Sequence, residues 1–180
     1  MSALDIQILH RPRIIQTLEQ ADRYPLSLIV APMGYGKTMA VMDFFRSAER
    51  RVVWISLTAP IKISDEDYFW VLLTNSLREK VPAFAMRMET MGFPDDAMQI
   101  LRFLELLRTE APLEQETYIV LDDFQYVSAD KISTLVAQVV QASIPHLHLI
   151  ILSREYPHLP VTEWEMKGLC NIITMKTLAF

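Results

Sequence analysis

The chain has 180 residues, 51% hydrophobic and 22% charged, which is enough apolar material for one buried core and suits a single globular domain. Its 17 Lys and Arg against 22 Asp and Glu leave a net charge of −5, the reverse of a nucleic-acid-binding footprint, so this segment is not expected to bind nucleic acid. One cysteine, Cys170, leaves no internal disulfide or multi-cysteine metal site, no apolar run nears the ~18 residues that span a bilayer, and Met1 to Asp5 lack a signal-peptide pattern; the expected compartment is the cytoplasm.

Apolar runs alternate with amphipathic stretches, the pattern of a parallel sheet covered by helices. An opening helix is predicted at Arg11-Pro12, within an N-terminal segment reaching residue 24. The first strand, Leu26 to Ala31, runs into Ala-Pro-Met-Gly-Tyr-Gly-Lys-Thr, residues Ala31 to Thr38, and a helix follows from Lys37 to Ala48. A second strand is predicted over Val52 to Leu57, then helices over Asp65 to Lys80 and Asp95 to Glu110. The third strand, Thr117 to Asp122, precedes a helix from Ala129 to Ser143; the fourth, Leu147 to Leu152, precedes a short helix from Val161 to Lys167 that Gly168 closes; the fifth is Asn171 to Met175. The near-continuous apolar strands suit burial on both faces, and no repeat or Gly/Ser linker marks a second domain.

Residues Ala31 to Thr38 carry the strongest chemistry. A strand, a Gly-containing turn and a helix start bring backbone N–H groups and the positive helix end to bear on phosphate. Of the four glycines in the chain, Gly34 and Gly36 both fall here, where the backbone must approach phosphate closely. Lys37 is placed to reach the β- and γ-phosphates and Thr38 to ligate Mg²⁺, with Pro32, Met33, Tyr35 and Met39 completing the loop. Ala31 stands where the motif has its first glycine, which requires that residue to keep a negative φ.

The third strand ends in Asp122-Asp123. Beside a phosphate loop, Asp122 reads as a Mg²⁺-shell ligand and Asp123 as the group that orients or deprotonates water; alone, such a pair reads as a turn initiator. The fourth strand ends in Ser153-Arg154, where a guanidinium can sense the γ-phosphate, or else pair structurally with Asp122 or Asp123.

Together these motifs resemble the additional-strand P-loop NTPases. The finer resemblance is to the signal-transducing (STAND) ATPase domain of LuxR-family, MalT-like regulators, carried by Arg11-Pro12-Arg13, Ala31 to Thr38, Val53 to Leu57, Tyr68-Phe69-Trp70, Val120 to Phe124, Leu152 to Arg154 with Pro157 to Pro160, and Leu178-Ala179-Phe180. The resemblance implies a three-layer α/β/α fold with a mostly parallel five-stranded sheet in the order 5-1-4-3-2, ATP or ADP with Mg²⁺ as cofactors, and Arg11 and Arg13 near the adenine or ribose. It also implies a slow regulatory ATPase that self-associates within a longer protein, with DNA contacted by a C-terminal domain beyond this segment. Met39 replaces the family's second hydroxyl and Thr58 its usual aspartate, which weakens the case for tight nucleotide affinity.

A small-molecule or nucleotide kinase and a non-hydrolysing nucleotide scaffold are the competing functions; no arginine-rich lid appears between the third and fourth strands. His146 and His148 read as polar strand-edge residues rather than zinc ligands, the aromatic residues of Asp65 to Lys80 as a buried face, Arg46, Glu49, Arg50 and Arg51 as a solvated helix end, and Cys170 as a small core residue.

Overall fold

The computed structural model describes residues 16–46, 50–57, 66–109 and 115–174. Strands β1 (Leu26–Val30), β2 (Arg51–Ser56), β3 (Thr117–Asp122), β4 (Leu147–Ser153) and β5 (Cys170–Thr174) form one sheet ordered β2-β3-β4-β1-β5, the expected order read from the other edge. Every neighbouring pair is parallel. The described helices are α1 (Lys37–Arg46), α2 (Glu66–Arg78), α3 (Pro82–Met91), α4 (Ala97–Thr109), α5 (Asp130–Ala142) and α6 (Val161–Met166). The expected opening helix at Arg11-Pro12, the outer ends of several predicted helices and strands, Thr58 and Leu178-Ala179-Phe180 lie outside the described residues.

Strand order fixes which face each helix covers. Only the β1-to-β2 connection runs toward the β2 edge; those from β2 to β3, β3 to β4 and β4 to β5 run the other way. Parallel crossovers are right-handed, so α1 is segregated from α2 to α6. The core divides accordingly. Ala40, Val41 and Phe44 of α1 pack with Ile29, Val120 and Ile150, while α2 to α6 pack residues such as Phe69, Phe103, Leu135 and Trp164 against Leu28, Ile119 and Ile151. Strands β1, β3 and β4 are buried throughout, which explains their continuous apolar sequence.

The aromatic stretch of α2 is core. Phe69, Trp70, Leu73 and Leu77 are buried on one helical face. Trp70 Nε1 donates to the Met88 carbonyl at 3.0 Å, tying α2 to α3, and its ring stands edge-on to Phe93 and Phe103. Helix α3 is absent from the sequence prediction. Helix α4 starts at Ala97 rather than Asp95, because the Asp96 carboxylate accepts from the Gln99 N–H at 2.8 Å and caps the first turn.

Two surface expectations need correcting. Arg50 is not a solvated helix end: its guanidinium lies 4.4 Å from the centre of the Phe44 ring and pairs with Asp22 at 3.2 Å. His146 precedes β4 instead of lying in it, and His148 is buried within this inner strand, not at an edge. Both histidines converge on Glu116, at 2.8 Å and 2.5 Å. Among the described residues no cluster of three candidate ligands could hold a metal ion, and no helix is long and apolar enough to cross a membrane. Cys170 is core, its thiol pushed up to about 12 chiefly by burial.

Candidate functional site

The loop from Ala31 to Gly36 leaves the carboxyl end of β1 and turns into α1. Gly34 and Gly36 hold φ of +88° and +72°. Beyond Gly34 and its two chain neighbours no protein atom lies within 4 Å of where a Gly34 Cβ would sit, so within the protein it is the left-handed backbone, not crowding, that calls for glycine there. Ala31 is buried and is not among the residues with positive φ, which meets the condition its substitution for glycine imposes. Its N–H donates to the Ser153 carbonyl at 3.2 Å, anchoring the loop's start to the end of β4. Pro32, Met33, Gly34, Tyr35 and Met39 are exposed around the loop, and Met33 is 74% exposed.

Lys37 is buried, and its ammonium donates to the carbonyls of Ala31 at 2.6 Å and Pro32 at 3.2 Å. Burial depresses its pKa; Asp123 opposes that shift, the Arg154 charge adds to it, and Asp122 opposes it more weakly. The Thr38 hydroxyl donates to Asp122 Oδ2 at 3.1 Å, joining the start of α1 to the end of β3. Asp122 is buried, and burial raises its pKa, aided by the Asp123 charge and opposed by the Thr38 hydroxyl, the Asp123 N–H and the Lys37 charge.

Asp123 adopts a left-handed conformation, φ 60° and ψ 42°, which aspartate tolerates better than most residues. This bend takes its carboxylate away from the path of β3. Arg154 pairs with it at 3.7 Å and lies 5.7 Å from the centre of the Tyr126 ring. The structural pairing named as the alternative for Arg154 is thus present, and it joins the two residues at the same sheet edge as Lys37. Sequence reasoning missed Gln125, which donates from Nε2 to Asp123 Oδ1 at 2.8 Å and accepts the Arg154 N–H at 3.1 Å. Its only sequence signal is a position two residues after the acid pair. Arg11 and Arg13 lie outside the described residues.

The donor chemistry fits the implied cofactors. A hydroxyl and a carboxylate converging at 3.1 Å are the hard oxygen donors Mg²⁺ takes, and an ammonium beside a Gly-rich loop at a helix start suits a polyphosphate.

No family model matches the chain. The HTH-type transcriptional regulator MalT of Vibrio parahaemolyticus is 30% identical over 173 residues, 94% of this chain and 19% of that protein. MalT of Yersinia pestis is 27% identical over 175 residues, with the same two coverages. The chain therefore spans about a fifth of the length of the curated relatives it matches, 19% in each case. Among solved structures, a STAND protein with a tetratricopeptide-repeat sensor from Pyrococcus horikoshii matches 93% of this chain and 23% of its own, with TM-score 0.62 and 18% identity. A Walker-type ATPase of Pyrococcus abyssi matches 92% of this chain and 53% of its own, with TM-score 0.59 and 16% identity. The chain is thus similar along nearly its whole length to part of the MalT regulators, and its parallel sheet with flanking helices shares the P-loop NTPase fold of the Walker-type and STAND ATPase structures.

Proposed function

We infer that the chain is the nucleotide switch of a MalT-like transcriptional regulator: it binds ATP or ADP with Mg²⁺, hydrolyses ATP slowly, and through its nucleotide state biases self-association and activation of the longer protein. The observation that carries this reading is the Thr38–Asp122 hydrogen bond at 3.1 Å, which joins the phosphate loop to the acid strand. In this reading the loop N–H groups and Lys37 hold the phosphates, while Thr38 and Asp122 hold Mg²⁺. The bound ion neutralises phosphate charge. Asp123 orients the attacking water and accepts its proton, and Arg154 stabilises charge on the transferring group. DNA contact belongs to a part of the regulator beyond this segment. A ligand that favours one of two conformations shifts their populations, so hydrolysis resets the switch without any covalent change in the protein.

The test is the Lys37→Ala variant. ATP with Mg²⁺ at about 100 times its dissociation constant stabilises the parent by about 2.7 kcal/mol, which raises the melting temperature by roughly 5–10 °C for a domain of this size. Lys37→Ala keeps the fold, since the lost side chain belongs to neither apolar core cluster, and loses most of that rise. An undiminished ATP-dependent shift in the variant sinks the assignment.

A further inference from the structure

We propose that Gln125 is a positioning residue that locks the sensor end of β4 to the acid end of β3, setting Arg154 and Asp123 relative to one another; this rests on the nucleotide reading above. The β3–β4 ladder ends at Leu121 opposite Ile151; past it β3 reaches Asp122 beside β2 and β4 reaches Ser153 beside β1, no longer paired with each other. Gln125, in the short 3-10 turn Phe124–Tyr126, spans that gap. Its Oε1 accepts the Arg154 N–H at 3.1 Å, as a strand carbonyl would had the ladder continued. Its Nε2 donates at 2.8 Å to the Asp123 oxygen that lies 3.7 Å from the Arg154 guanidinium. The four groups close a ring: carboxylate, amide, backbone N–H and guanidinium.

The chemistry selects glutamine. The ring needs one donor facing a carboxylate and one acceptor facing an N–H, which a planar primary amide supplies from a single group. Glutamate places a second carboxylate against Asp123. Asparagine is one methylene short. Methionine keeps the length and neither bond. The neighbouring residue gives the ring its reach, because the Ser153 carbonyl accepts the Ala31 N–H that begins the phosphate loop. Gln125 therefore fixes the residue next to the loop's own anchor, without itself touching the loop.

The experiment compares the parent chain with Gln125→Met and Gln125→Glu by three readouts: amide hydrogen exchange at Arg154, affinity for a fluorescent ATP analogue with Mg²⁺, and single-turnover ATP hydrolysis. In Gln125→Met the Arg154 N–H exchanges about tenfold faster or more, having lost its acceptor, whereas Gln125→Glu keeps an acceptor oxygen for that N–H and loses the donor to Asp123. Analogue affinity stays within about twofold, while the rate falls by roughly tenfold to a hundredfold, the scale set by ångström misplacement of a reacting group. This split between rate and affinity separates positioning from general loosening of the fold. Unchanged Arg154 exchange in Gln125→Met overturns the bridge. Faster exchange with an unchanged rate, or with rate and affinity falling together, overturns the positioning role. Parent hydrolysis that is absent, or that survives Lys37→Ala, overturns the proposed function instead, and the exchange measurement still decides the bridge.

Discussion

His148 presents both ring nitrogens to acceptors, Nδ1 to the Tyr24 carbonyl at 2.9 Å and Nε2 to the Glu116 carboxylate at 2.5 Å. Burial pushes the Glu116 carboxyl up, but the bonds and charges of His146 and His148 outweigh it and hold the group below its ordinary value. A carboxyl lowered in the folded state stabilises fully above its unfolded value of ~4.3 and loses that stabilisation as pH falls through the folded value. Urea unfolding is therefore expected to show the parent more stable than Glu116→Gln near about pH 6, with the gap closing by about pH 3. Glu116 is 36% exposed, so solvent screening keeps the gap small, and a gap that widens on acidification contradicts the pairing. No sequence pattern announces this cluster, since Glu116 lies 30 positions from His146 and meets it only because β3 and β4 are neighbours. Gln125 is silent for the same reason: its second partner is 29 positions away. Lys37, Thr38 and Asp122 were legible because the loop sets its own geometry over a few residues, and strand burial writes the approach to the acid as an apolar run. How Asp122 meets Thr38 still had to come from the fold.

At the scale of elements, the parallel strands were legible because burial on both faces makes each a continuous apolar run. Helix α3 was not, because its ten residues bury only Phe84, Ala85 and Met88, too narrow a stripe to stand out by periodicity. Its boundary signals were nonetheless present, Pro82 at the first helical turn and Gly92 just past the last. The packing it contributes is testable through Phe103 of α4, which is buried against Trp70, with ring centres 5.3 Å apart. An apolar void of about 50 Å³ already lies here, lined by Phe69, Leu73, Phe103 and Leu107 among others. Phe103→Ala enlarges a space the surroundings have not closed, so its cost belongs toward the upper part of the ~3–5 kcal/mol range for such truncations. Urea or thermal unfolding measures it. The ATP-dependent melting shift is expected to survive, since α4 belongs to the core cluster opposite α1. A cost below about 1 kcal/mol would mean that α4 is not docked on this core.

At the scale of the molecule, the strand order sends one connection toward the β2 edge and three the other way, which sets α1 on one face and α2 to α6 on the other, and it gathers the loop, the acid pair and Arg154 at the carboxyl edge of β1, β3 and β4. Alternating runs alone indicate a parallel α/β sheet; the particular order came from the resemblance, because composition does not say which strands are neighbours. Net charge gives this same unit a prediction about what it leaves to other parts of a regulator. Duplex affinity comes largely from cations that displace counterions condensed on phosphate, whereas this chain carries 22 acids against 17 bases. Its visible basic groups are also partly engaged: Lys37 with loop carbonyls, Arg50 with Asp22, Arg154 with Asp123. Nor do the described helices supply a reading helix with basic residues along one face; α5, for instance, holds Lys131 alone, paired with Asp95. Fluorescence anisotropy with a labelled duplex at about 0.15 M salt is therefore expected to show no saturable binding in the sub-micromolar range, with or without ATP and Mg²⁺. The nucleotide arm matters, because assembly driven by ATP multiplies weak contacts through avidity. Salt-sensitive, saturable binding that appears only with ATP would mean that an assembled ring or filament of this domain presents a basic surface no single copy has, and the separation of switch from DNA contact would fail.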